Sequence, residues 1–138
     1  MRRESQRTAG TILIVLPAVM FGGVSILTML VRDPDYMANP LRQDLWRAGH
    51  AHAGVMLILS LIALRYLDDA ILSARARWFV STSIPSAAIF LPAAFFLSVV
   101  SPDAREPNAL INLAYVGAAF LAAGVVTLGV GLVRRHKQ

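Results

Sequence analysis

The 138-residue chain contains no cysteine. That excludes disulfides, thiolate metal sites, iron–sulfur clusters and covalently attached c-type haem. Histidine is nearly as scarce, with three residues. Charge is thin as well: 15% of residues are Asp, Glu, Lys or Arg, against roughly 25% in ordinary soluble domains. Also missing are a glycine-rich phosphate loop, a nucleophile elbow, an HExxH pattern and an acidic pair inside any apolar run. No complete active site is legible, and the expectation is a protein that is not an enzyme. What is abundant is apolar surface: hydrophobic residues make up 57% and the mean hydropathy is +0.61. Such a chain has too little polar surface to face water on all sides, so the bilayer is its expected solvent.

A membrane helix needs about 20 apolar residues to cross a core about 30 Å thick. Four runs qualify: 11–31, 48–64 (extended to 67), 78–100 and 110–133. None holds an acidic residue. The first follows Arg2, Arg3 and Arg7, as a signal peptide would. Its run is too long for a signal core, and it leads into Arg32-Asp33-Pro34-Asp35 rather than a cleavage site, so it is expected to stay as a helix. The basic residues are unevenly shared. Arg2, Arg3 and Arg7, then Arg65, Arg75 and Arg77, then Arg134, Arg135 and Lys137 fall on one side. Arg32, Arg42, Arg47 and Arg105 fall on the other. The expectation is an all-α, single-domain, integral membrane four-helix bundle with both N-terminus and C-terminus cytoplasmic, in a prokaryotic cytoplasmic membrane. The net charge of +5 belongs to this bias. Basic clusters beside apolar runs suit anionic lipid headgroups in the bilayer, and no nucleic-acid partner is expected.

Several features bear on packing. Gly117, Gly124 and Gly131 recur every seven residues, nearly two helical turns, and form one stripe. Such a stripe lets helices approach closely, either within the bundle or as the seam of a homodimer or larger membrane complex. Pro85 and Pro92 predict bends in the third run, and Pro17, Gly22 and Gly23 loosen the first. Residues 32–47, with Pro34, Tyr36, Pro40 and Trp46, read as an outer loop lying against the membrane surface. Residues 68–77 read as a turn or a short interfacial helix. Asn108, Asn112 and Tyr115 put polar atoms at the start of the fourth run, as caps or as part of a site shared with the second.

The chemical clue is the stretch Gly49-His50-Ala51-His52-Ala53-Gly54. His136 sits in the basic tail and reads as solvated. His50 and His52 fall just inside the second run, where an ionisable side chain is a functional candidate. Two residues along a helix are separated by about 200°, so the pair cannot clamp one ion and must serve two neighbours. His52, deeper by about 3 Å, is expected to face the bundle interior and His50 the interface or lipid headgroups. Ala51, Ala53 and Gly54 leave room beside His52 for something flat. Met56, four residues on, shares its face, and a His/Met pair suits copper(I).

Gly49-His50-Ala51-His52-Ala53-Gly54-Val55-Met56 resembles the second helix of subunit I of the haem–copper oxidases, where a histidine in an AH-small-V-M pattern ligates the low-spin haem near the outer face. The resemblance covers about residues 10–66. It implies a haem b ligand at His52, with Arg47 or Arg42 as partners for the propionates. No later run contains a histidine, so the resemblance does not extend to a copper site or an oxygen-reducing centre. Three readings follow. The first is a small membrane protein with haem b, or copper, held by His52 with His50, Met56 and Arg47 nearby, in a redox, sensing or oxidase-assembly role. The second is a non-catalytic accessory or structural subunit of a membrane complex. The third is a small transporter, which the apolar midplanes disfavour.

Overall fold

The computed structural model describes residues 3–134. Arg2, Arg135, His136 and Lys137 lie outside the described residues, so the tail histidine and those basic positions receive no structural account. The elements in order are α1 (Arg3–Arg32), a one-turn helix α2 (Pro34–Met37), α3 (Pro40–Tyr66), α4 (Ala74–Ser98), a 3-10 turn (Ala109–Asn112) and α5 (Leu113–Val133). The described residues contain no strand. Four of these stretches are long and apolar enough to cross a membrane: α1, α3, α4 and the unit Ala109–Val133.

Residues 32–47 are not a loop. Asp33 caps α2, its carboxylate accepting from the amides of Asp35 and Tyr36 with Pro34 in the first helical position. Asn39 then caps α3, accepting from the Arg42 amide, with Pro40 next. A short acceptor side chain followed by proline is a strong helix start, because proline lacks the N–H that would be orphaned there. α3 therefore begins eight residues before residue 48, where the apolar run starts. Those two turns are polar, so apolar content alone does not reveal them. The stretch 67–73 is a turn, and Ser73 caps α4 by accepting from the Ala76 amide. α4 passes through both Pro85 and Pro92 without breaking.

α4 is the central helix, packed on α3 at one side and α5 at the other, while α1 lies along α3 at the edge. The buried residues of α3, α4 and α5 repeat at seven. On α3 they include Arg42, Gly49, Met56 and Ala63. On α4, Val80, Ala87 and Ala94 alternate with Ile84, Leu91 and Ser98. On α5 they are Gly117, Gly124 and Gly131. A seven-residue repeat keeps one seam facing its partner over many turns. The core between these seams is assembled from Leu64, Leu67, Val80, Ile84 and Leu128 toward one end and Met56, Ala87 and Leu91 farther along.

The glycine stripe is occupied within the chain. A Cβ on Gly117 would stand 2.9 Å from Leu91 Cγ, and one on Gly131 2.7 Å from Leu72. One on Gly124 would run into Ser83 Oγ and Ile84. All three glycines serve the α4–α5 contact and its continuation into the 67–73 turn. By contrast, only 11% of the apolar window of α1 is buried, against 39% for α4. Leu13, Ile14, Met20, Phe21, Val24 and Leu27 all face outward.

Candidate functional site

The first turns of α3 carry the residues singled out above. His50 and His52 point to different helices, as their spacing requires. His50 does not face lipid headgroups: it lies half-buried on α1, its ring against two glycines. A Cβ on Gly23 would be 2.8 Å from His50 Nε2, and one on Gly22 would be 3.9 Å from Nδ1. The Gly22-Gly23 pair is thus the notch that admits an imidazole between α1 and α3.

His52 is half-buried on the other side. Its ring centroid is 5.0 Å from that of Phe95 on α4. Its Nδ1 lies 2.7 Å from the Ala48 carbonyl oxygen, one turn back. A carbonyl can only accept, so the bond requires the proton on Nδ1. In the neutral ring, the lone pair is then on Nε2. Holding one ring nitrogen by a backbone carbonyl is also how ligating histidines are oriented. Met56 is buried on the same side of α3, packed near Ala87 and Leu91. The described residues contain no group of three or more His, Cys, Asp or Glu able to hold a metal ion.

The two arginines have separate employment. Arg42 is buried, its Nε donating to the Val99 carbonyl at 3.1 Å and its Nη2 to Val100 at 3.4 Å. Its guanidinium carbon lies 4.4 Å from the Trp46 ring centroid. The C-terminal end of α4 carries unpaired carbonyls and partial negative charge, and Arg42 satisfies both. Arg47 is exposed, paired with Asp44 at 2.6 Å and donating to the Gln43 carbonyl. Trp46 Nε1 donates to the Phe96 carbonyl, and its ring sits between Tyr36 and Phe96. Tyr36 is fully buried and its hydroxyl has no partner among the described residues. Burial pushes its phenol above the usual value, while Arg47 and Arg42 pull it down and Asp44 adds to the rise.

A counterpart to Arg42 sits at the opposite end. Arg77, in the first turn of α4, donates to the Leu67 carbonyl and, at 3.2 Å, to that of Ala70. It also lies 3.7 Å from Asp68 Oδ1. Each of the two antiparallel helices therefore contributes an arginine from its start to close the end of the other. Nothing in the apolar pattern marks these residues, although an arginine in the first turn, where the helix dipole disfavours cations, is a usable signal.

The polar residues before α5 are not gathered at the histidines. Asn108 accepts from the Leu110 amide and donates to the Leu97 carbonyl, and Asn112 donates to Ala109. Tyr115 is 76% exposed. A cleft of about 580 Å³ opens at this end, with Asp35, Asn39, Asp103 and Arg105 in its lining. Asn39 Nδ2 ties its walls together by donating to the Pro102 and Ala104 carbonyls. Neither histidine lines it. Comparison with protein-family models, with curated proteins and with solved structures finds no match to this chain.

Proposed function

We propose that the protein is a multi-pass protein of a prokaryotic cytoplasmic membrane, with cytoplasmic termini, that presents His52 as a ligand to haem b, or to copper, in a redox, sensing or oxidase-assembly role. The observation that carries this reading is the Nδ1 bond to the Ala48 carbonyl, which leaves Nε2 as the electron-pair donor. The small residues around His52 and the resemblance of residues 49–56 to a haem-ligating helix point the same way. His50, turned onto α1, is not the second ligand of the same ion. A sixth haem ligand comes from His50 or His52 of a second chain or from a methionine of another helix, or the position is open to small gases. For copper, Met56 is the soft donor on the same side. Haem supplies electron transfer or gas binding there, and its potential follows from burial and hydrogen bonding.

The test is the visible spectrum of the purified chain in mild detergent, oxidised and reduced, after expression with haem supplied. A Soret band is expected in the native chain and in His50→Ala, and its loss in His52→Ala. A colourless native chain that also retains no copper would sink the reading. The accessory-subunit reading would then lead, and its support is the unpartnered apolar face of α1.

A further inference from the structure

Two shallow clefts, wide open to the surroundings, lie at the end of the bundle where α4 starts and α5 finishes. One, of about 480 Å³, is lined by Ala74, Arg75, Trp78 and Phe79. The other, of about 420 Å³, is lined by Gly129, Val130, Val133 and Arg134. The two helix ends are held together, since the Ile71 amide donates to the Gly131 carbonyl at 2.8 Å and Leu72 packs on Gly131. Among the described residues, one arginine is the sole charged residue lining each cleft, and no carboxylate lines either. Neither guanidinium has a hydrogen bond or ion pair among the described residues. Their neighbours differ: Arg65 pairs with Asp69, and Arg77 closes α3. Trp78 is 68% exposed beside Arg75. An indole with an apolar body and a polar N–H belongs at the membrane–water boundary. Around Gly129, a Cβ would meet nothing within 4 Å.

We propose that this end of the bundle binds an anionic phospholipid of the surrounding leaflet. Its phosphate sits on Arg75 or Arg134, and its acyl chains lie along Trp78 and Phe79 or along Gly129 and Val133. An apolar cleft ending in an unpaired guanidinium matches an amphiphile with an anionic head, since the guanidinium fork fits phosphate oxygens. Among the described residues no carboxylate lines either cleft, so a zwitterionic headgroup's ammonium would find only arginine there, which favours an anionic headgroup. Each basic residue near an anionic surface favours binding about fivefold.

The experiment reconstitutes the full chain in nanodiscs of equal phosphatidylglycerol and phosphatidylcholine, then releases it into detergent. The lipids retained are counted by native mass spectrometry. Phosphatidylglycerol is expected to be enriched over phosphatidylcholine. Arg75→Gln or Arg134→Gln should each cut that enrichment by up to about fivefold, and the double variant should abolish it. Arg105→Gln, at the opposite end, should leave it unchanged. Gly129→Leu fills one cleft without altering charge and should lower retention of both lipids there. Equal retention of the two lipids by the native chain, enrichment that survives the double substitution, or an equal loss in Arg105→Gln would overturn the proposal.

Discussion

At the scale of single residues, the contact between His50 and the Gly22-Gly23 notch governs how α1 sits. A methyl on Gly23 would stand 2.8 Å from the imidazole, well inside van der Waals contact, so one partner must move. Gly23→Ala is therefore expected to destabilise the native chain by about 1–3 kcal/mol, the usual cost of overpacking. In a His50→Ala background the notch is empty and the same change should be nearly neutral. Thermal unfolding in detergent, followed by fluorescence of Trp46 and Trp78, would give both numbers. Equal costs in the two backgrounds would show that the ring does not occupy the notch. Spacing separates the two histidines around the helix but does not say which neighbour each one meets. Their separation of about 200° already put them on different sides of the helix. Which side faces α1 depends on where α1 packs, a non-local fact, so His50, expected at the interface or lipid headgroups, is instead half-buried against the glycines of α1.

At the scale of elements, the seven-residue seams decide which helices meet. The glycines of α5 were visible as a stripe, but their partner was not. The α4 residues that meet them, Ser83, Ile84, Phe90 and Leu91, are mostly the apolar types that a lipid-facing surface also uses. The seam on α3 mixes Arg42, Gly49, Met56 and Ala63, a set that shares spacing and nothing else. Small-residue packing of this kind gains its energy from close van der Waals approach rather than from expelling water. Gly124→Ile should then force α4 and α5 apart, lowering stability by about 1–3 kcal/mol. Val126→Ile, on the exposed side of the same helix, should change stability little. Unfolding midpoints of the two variants would separate a seam buried within the chain from one that waits for a second copy. In the latter case, Gly124→Ile would change the oligomeric state and leave the midpoint alone. The starts of α2 and α3 carry a cap-and-proline signal in Asp33-Pro34 and Asn39-Pro40, but their first turns are polar, so the apolar period alone does not reach them.

For the whole molecule, the chain reads as four apolar crossings, and four such helices are found among the described residues. Orientation rests on the share of basic residues on each side. The lack of cysteine makes it simple to test, since any introduced thiol is the sole reporter. In intact cells, Asp103→Cys should react with a membrane-impermeant maleimide, and Gln6→Cys should react only after lysis. The reverse pattern would invert the topology and exchange the leaflets assigned to the histidine end and the lipid clefts.

The paired arginines also set a length. Arg42 fastens the start of α3 to the end of α4, and Arg77 fastens the start of α4 to the Leu67 carbonyl at the end of α3. With both ends fastened, neither helix can slip along the other by a turn without unpairing a buried guanidinium, a change that costs several kcal/mol. The span between the fastenings is about 22 residues of α4, or roughly 33 Å at 1.5 Å per residue, close to the thickness of a bilayer core. The α3–α4 pair is in effect a rigid strut of fixed height. In a thinner or thicker membrane it must tilt, or the lipid must stretch to meet it, while α1, held mainly along one edge, can adjust on its own.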